Sequence, residues 1–101
     1  MLYMISYDLM TPGKDYARLD AQIVKLSGQR VLLSQWVIAY AGGTLMTPIP
    51  TAGQLWTALK PYTDQNDRLL INELTQNMEW SSGRLLVTDA EMNRLRGFAR
   101  I

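Results

Sequence analysis

The sequence predicts an α+β domain in which helices pack on one face of a sheet. Short runs of β-branched and aromatic residues alternate with segments whose apolar residues recur at helical spacing. Pro, Gly and Asp residues typical of turns separate these segments. The chain has 101 residues, of which 48% are hydrophobic and 19% are charged. This size and composition are typical of one globular domain.

The first part of the chain predicts a strand, a helix and a long second strand. Residues 2–9, LYMISYDL, form the first strand, which is apolar on both faces. After a turn at 11–15, helical spacing predicts a helix over about 15–27, with Gly28 as its left-handed stop. Residues 29–41 are predicted as the second strand. This long strand and the loop after it leave room for a hairpin, so the stretch between 31 and 50 can be two strands.

The next segments complete a βαββαβ order. Thr51 and Gln54 have the spacing of a capping box and predict the start of the second helix, and Pro61 prevents that helix from running much farther. Residues 68–75, RLLINELT, predict another strand. This order indicates a ferredoxin-like βαββαβ sandwich over residues 1–75.

Residues 76–101 are predicted as a C-terminal appendage of the same domain. RLLVT at 84–88 predicts a short edge strand, and Thr88 with Glu91 predicts the capped start of a last helix. The apolar side of that helix carries Met92, Leu95, Phe98 and Ala99. The sheet face away from the main helices also carries large apolar residues. We therefore expect a second copy to cover that face in a face-to-face homodimer.

The composition excludes several kinds of chemistry. The chain contains no cysteine and no histidine, so disulfides, thiol catalysis, zinc thiolate sites and Ser-His or Cys-His mechanisms within the chain are excluded. The net charge of +1 gives no general argument for nucleic acid or a membrane as partner. The apolar runs are too short to span a bilayer, and we expect a cytoplasmic protein without a membrane partner.

Several segments together resemble the CRISPR-associated protein 2-like superfamily. The segments are YMISYDL at 3–9, LLSQWVIAY at 32–40 and NDRLLINEL at 66–74. The turn PGKDY at 12–16 is similar to that of small stand-alone relatives in this superfamily. The resemblance covers roughly residues 1–75, and the Asp that ends the first strand and the PGKDY turn carry most of it.

The resemblance implies a ferredoxin-like homodimer in which the family's strand-ending Asp corresponds to Asp8. In the family, one such Asp from each copy lies near the two-fold axis, and the pair can hold a divalent metal such as Mg²⁺ or Mn²⁺. Some members cleave RNA or DNA with that metal, and others bind duplex DNA without cleaving it. The implied activity is therefore that of a divalent-metal-dependent endonuclease with Asp8 as both metal ligand and catalytic residue.

The residues themselves leave another interpretation of Asp8 open. An Asp after a buried strand is commonly a turn or cap residue, and one carboxylate per chain is a poor site for a hard cation. The alternative function is a non-catalytic dimeric module that binds another protein. Such a module would be an accessory, inhibitor or toxin-antitoxin component of a mobile element or defence system.

Two tryptophans are candidates for contact with a partner. Trp36 lies in the middle of the predicted second strand, where a core position and a position on the dimer face are both compatible with the pattern. Trp80 lies in the irregular segment NMEWSSG, where it can anchor the appendage or a partner protein.

Overall fold

The computed structural model describes residues 1–8, 16–78 and 85–99. These ranges contain four strands and three α-helices. In chain order they are β1 (Leu2–Asp8), α1 (Tyr16–Lys25), β2 (Gln29–Leu32), β3 (Gln35–Ala39), α2 (Ala52–Leu59), β4 (Arg68–Leu74) and α3 (Asp89–Arg96). A short 3-10 turn, Lys60–Tyr62, follows α2. No helix in the described ranges has the length and apolar character needed to cross a membrane.

The four strands form one open antiparallel sheet in the order β2-β3-β1-β4. The central strand β1 pairs with β3 on one side and with β4 on the other. The predicted α+β class is confirmed. The order of elements and of strands is compatible with a ferredoxin-like fold.

The segment predicted as one long strand at 29–41 is a hairpin. Strands β2 and β3 are joined by a two-residue turn at 33–34, and the side chain of Leu33 in that turn is 79% exposed. The pairing of β2 with β3 also shifts between Arg30 and Leu32. The turn contains no Gly, Pro or Asn, so its position is hidden in the sequence by a continuous run of strand-forming residues.

Helices α1 and α2 cover the first face of the sheet. This face carries alternate residues of β1 and β3, and they pack against apolar residues of both helices. The buried members of this cluster are Ile5, Tyr7, Leu19, Ile23, Trp36, Ile38 and Leu59. Leu19 and Ile23 are four residues apart on α1, so they lie on the same side of the helix and both are buried.

Helix α3 packs on the second face of the sheet. Its buried residues join apolar residues of β1, β2 and β3 in a second cluster of Leu2, Val31, Val37, Met92, Leu95 and Ala99. We expected this face to be covered by a second copy. Around Leu2 and Val37 the cover comes from the same chain, and the other half of the face, around Ser6 and Leu70, lies outside this cluster.

The predicted edge strand at 84–88 is wrong for the part that the structure describes. Residues 85–88 form no strand, and the Leu86 N–H donates a backbone hydrogen bond of 2.9 Å to the Val31 carbonyl. Arg84 lies outside the described residues. The predicted start of the last helix is confirmed, because the Thr88 hydroxyl accepts a hydrogen bond of 3.2 Å from the Glu91 N–H.

The end of α1 differs from the prediction in one residue. Ser27, with φ of 68°, takes the left-handed conformation that we assigned to Gly28. The Gly28 N–H donates to the Ile23 carbonyl and the Ser27 N–H donates to the Val24 carbonyl, each at 2.9 Å, which is a Schellman motif. Gly28 is needed for space, since a Cβ there would lie 2.9 Å from the Ile23 carbonyl oxygen.

We expect Gly28→Ala to destabilise the protein by about 1–3 kcal/mol, because the added methyl group overlaps the last turn of α1. Ser27→Gly should leave the stability equal or slightly higher, since Gly adopts the left-handed conformation without steric cost. Urea unfolding of both variants measures the difference. A larger loss in Ser27→Gly than in Gly28→Ala would contradict this account.

Candidate functional site

The half of the second face that α3 leaves uncovered is the candidate site, and we call it the open strip. It consists of Ser6, Asp8, Gln35, Arg68 and Leu70. These side chains share one face because Ser6 is the register partner of both Gln35 and Leu70, while Asp8 is the partner of Arg68. The open strip therefore combines an acid, a base, two uncharged polar groups and a leucine.

A shallow pocket of about 320 Å³ lies at the open strip, with Leu32 and Ser34 of the hairpin in its wall. Leu70 is 61% exposed and Leu32 is 40% exposed. The Gln35 side-chain amide donates a hydrogen bond of 3.3 Å to the Ser6 hydroxyl. The pocket thus has an ordered polar floor and exposed apolar residues at its edge.

Asp8 and Arg68 are the charged residues of the open strip. Both are exposed, and they lie directly opposite each other on β1 and β4. Neighbouring opposite charges on one face of a sheet attract by about 0.2–1 kcal/mol. The open strip therefore carries one charge of each sign on neighbouring strands.

The structure places the predicted metal ligand Asp8 at an accessible position at the end of β1. A single carboxylate is a weak donor set for a divalent cation. Within residues 1–8, 16–78 and 85–99, no group of three or more Asp, Glu, His or Cys residues is placed to hold a metal ion. The PGKDY turn that follows Asp8 lies almost entirely outside the described residues.

Trp36 lies in the core on the first face. It is 5% exposed and packs in the cluster beneath α1 and α2. Its indole N–H donates to the Tyr7 hydroxyl at 3.3 Å, and the Arg30 guanidinium lies 4.6 Å from its ring centroid. Of its two predicted roles the structure supports the core position, which leaves little of the ring for a partner. Trp80 lies outside the described residues.

A polar network beneath α1 fixes the hairpin that borders the open strip. The Tyr7 hydroxyl donates to the Asp20 carboxylate, and Arg30 forms an ion pair with the same carboxylate. The Tyr7 N–H also donates to the Ser34 carbonyl at 3.1 Å. The network therefore ties β1, α1 and the hairpin together at the end of the sheet where the pocket opens.

Sequence reasoning missed this network. Asp20 directly follows the buried Leu19 on α1, and Arg30 lies near the start of β2. The sequence feature that could have indicated the network is Asp20, a carboxylate next to the apolar side of the amphipathic helix α1. Its partners come from other elements, so their identity depends on the tertiary structure.

The environment of Tyr7 keeps its hydroxyl protonated. Burial and the hydrogen bond to Asp20 raise the pKa of Tyr7 from its ordinary value of 10.0 to about 12. The folded protein therefore holds this proton more tightly than the unfolded chain does. The stabilisation is complete below pH 10 and is lost as the pH rises toward about 12.

We expect Tyr7→Phe to cost about 1–3 kcal/mol at neutral pH, because it removes a hydrogen bond to the partly buried Asp20 carboxylate. It should also make the decline in stability between pH 10 and about 12 less steep, because the hydroxyl that titrates in this range is removed. Urea unfolding as a function of pH measures both effects. Tyr62→Phe is the control, since it removes the same hydroxyl outside the network, and equal behaviour of the two variants would contradict the assignment.

Comparison with models of protein families, with curated proteins and with solved structures finds no match to this chain. The resemblance to the CRISPR-associated protein 2-like superfamily stays a prediction.

Proposed function

We propose that this protein is a small, non-catalytic binding module with a ferredoxin-like fold that pairs with a second copy through the open strip. The observation that carries this proposal is the neighbourhood of Asp8. Asp8 is the register partner of Arg68 on β4, and both lie on the same strip as the exposed Leu70. This arrangement is better suited to a protein surface than to a divalent cation.

The charges of the open strip are suited to a two-fold interface. In such an interface the same surface patch serves both copies, so each group must find its complement within that patch. Asp8 of each copy can face Arg68 of the other, because acid and base lie side by side on the open strip. Charge complementarity of this kind fixes the register of an interface and disfavours wrong partners.

Leu70 of the open strip and Leu32 in the wall of its pocket supply the contact energy. Leu70 is 61% exposed and Leu32 is 40% exposed in the single chain. Their burial against a second copy adds to the area already covered by α3 on the same face. A protein partner with a similar mixed surface fits the same requirements, which suits an accessory or inhibitor role.

A second candidate function is metal-dependent cleavage of RNA or DNA. It is favoured by the exposed position of Asp8 on the same strip, because self-pairing there brings two copies of this carboxylate toward one axis. The resemblance to the CRISPR-associated protein 2-like superfamily points to the same Asp. A bridging Mg²⁺ or Mn²⁺ would then be held by one Asp8 from each copy together with water and phosphate oxygens.

A cleavage assay separates the two functions. RNA and duplex DNA are incubated with the purified protein in Mg²⁺ or Mn²⁺, beside Asp8→Asn and the control Asp89→Asn, which neutralises an exposed carboxylate on α3. We expect no cleavage that depends on Asp8. Metal-dependent cleavage that is lost in Asp8→Asn and kept in Asp89→Asn would overturn the non-catalytic proposal in favour of the nuclease.

A further inference from the structure

The two edge strands of the sheet, β2 and β4, are protected to different degrees. Proteins limit the pairing of an edge strand with other chains by making the strand short, irregular or covered. Strand β2 has four residues, and its register with β3 shifts between Arg30 and Leu32. The Val31 carbonyl is also covered, since it accepts a hydrogen bond of 2.9 Å from the Leu86 N–H. The edge formed by β2 is therefore closed to a further strand.

Strand β4 has none of these protections among the residues that the structure describes. It has seven residues and pairs with β1 in an unbroken register over its whole length. Its sequence, RLLINEL, contains no Pro, Gly or Lys, and no described strand lies beyond it. A long and regular edge of this kind is a template for another strand.

Alternate residues of β4 direct their backbone groups toward this free edge. The Tyr7 N–H donates a hydrogen bond of 3.1 Å to the turn that precedes β3, so Tyr7 bonds toward β3. Its neighbour Ser6 therefore bonds toward β4, where its register partner is Leu70. Since Leu70 bonds inward to β1, the residues on either side of it, Leu69 and Ile71, present their N–H and C=O groups outward.

We propose that the free edge of β4 pairs antiparallel with β4 of a second copy, in a register centred on Leu70. In this register Leu70, which is 61% exposed in the single chain, lies opposite the same residue of the other copy. Leu69 lies opposite Ile71, and these two residues exchange backbone hydrogen bonds between the copies. The two four-stranded sheets then form one continuous sheet.

The sequence of β4 is complementary to itself in this register. Three consecutive apolar residues, 69–71, face the same three residues of the other copy. Arg68 lies opposite Asn72, so like charges do not meet within residues 68–72. Moving the centre by one residue toward the end of β4 would place Leu69 opposite Glu73 instead. A two-fold contact requires each group to find its complement in the same patch, and the stretch 68–72 meets this requirement.

This pairing does not rest on the proposed pairing through the open strip. The hydrogen-bonding groups of the edge lie in the plane of the sheet, whereas the side chains of the open strip point out of that plane. Two distinct two-fold contacts in one protein generate a tetramer, and each contact can also form without the other. Because Leu70 borders both contacts, the tests of the edge use Leu69, Ile71 and Asn72.

Hydrogen exchange of the full chain, followed by NMR at low and high protein concentration, tests the edge directly. We expect exchange of the Leu69 and Ile71 amides to slow at least about tenfold as the concentration rises, because pairing protects them. The Asn72 amide, which bonds to β1, should exchange slowly throughout, and the amide of the exposed Leu45 should exchange fast throughout. Fast exchange of Leu69 and Ile71 at every concentration would overturn the proposal.

Substitutions of Asn72 test the register. The side chain of Asn72 is exposed, and it lies opposite Arg68 of the second copy in the proposed pairing. Asn72→Asp should tighten the pairing and Asn72→Lys should weaken it, so the two dissociation constants from sedimentation velocity should differ by at least about tenfold. Asn93→Lys is the matched control, since it places the same charge at an exposed Asn of α3 and should leave the constant unchanged. Equal constants for the two Asn72 variants would overturn the proposal.

Slow exchange of Leu69 and Ile71 at every concentration has two explanations, which Asn72→Lys separates. Fast exchange of both amides in this variant would mean that the parent pairs tightly at all concentrations, which supports the proposal. Exchange that stays slow in the variant would mean that another part of the same chain covers the edge, and the pairing of two copies would be overturned.

Discussion

Leu70→Lys is expected to convert a self-associating protein into a monomer, with a rise in the dimer Kd of at least about a hundredfold. Leu70 is 61% exposed and lies opposite Ser6 on the open strip. Full burial of a leucine contributes about 1.5–3 kcal/mol, and a two-fold interface contains this contact twice. The substitution also brings two lysines toward each other. Sedimentation velocity over a range of protein concentrations measures the change.

Val24→Lys is the matched control for this prediction. Val24 is 57% exposed, and it lies on α1 on the opposite side of the sheet from the open strip. Both variants replace an exposed apolar residue with the same cation, so both should keep the melting temperature of the parent within a few degrees. A dimer that survives Leu70→Lys with unchanged Kd contradicts the proposed interface. A parent protein that is monomeric at every concentration contradicts it as well.

The parts of the fold that could be predicted from the sequence depend on local interactions. The capping box of Thr51 and Gln54 forms as expected, with hydrogen bonds of 2.8 and 3.1 Å between residues three apart. The cap at Thr88 forms for the same reason. Both signals are contained within one helical turn, so no knowledge of the tertiary structure is required to recognise them.

The features that escaped prediction depend on long-range packing or on small steric differences. The docking of α3 on the second face follows from the apolar side that Met92 and Leu95 give to it, but the sequence does not say which face of the sheet receives that side. The hairpin turn at 33–34 has no turn-forming residue to mark it. At the end of α1 the left-handed residue is Ser27, and Gly28 follows at the position where a Cβ would meet the Ile23 carbonyl.

The candidate site was predictable only in part, because its residues come from strands that lie far apart in sequence. The end of a strand identified Asp8, and the structure finds it exposed at that end. The position of Arg68 opposite Asp8 depends on the register of β1 and β4, which lie far apart in sequence. Register is fixed by how the whole sheet buries its apolar residues, so the placement of Arg68 opposite Asp8 is visible only in the folded chain.

Leu95→Ala is expected to have the largest effect on stability, at about 2–5 kcal/mol. Leu95 is 1% exposed and belongs to the cluster in which α3 packs against β1, β2 and β3. A cavity at this position removes contacts from the cover of the second face. Because a domain of this size has a total stability of about 5–15 kcal/mol, the loss is a large fraction of the whole. Urea unfolding followed by circular dichroism measures it.

Asn93→Ala is the control, because Asn93 lies on the exposed side of the same helix and its replacement leaves the packed side unchanged. We expect this variant to stay within about 0.5 kcal/mol of the parent. Similar small effects in both variants would mean that α3 contributes little to folding and that the second face is covered in another way. In that case the boundary of the open strip would also change, because α3 is the element that limits it to the half of the face around Ser6 and Leu70.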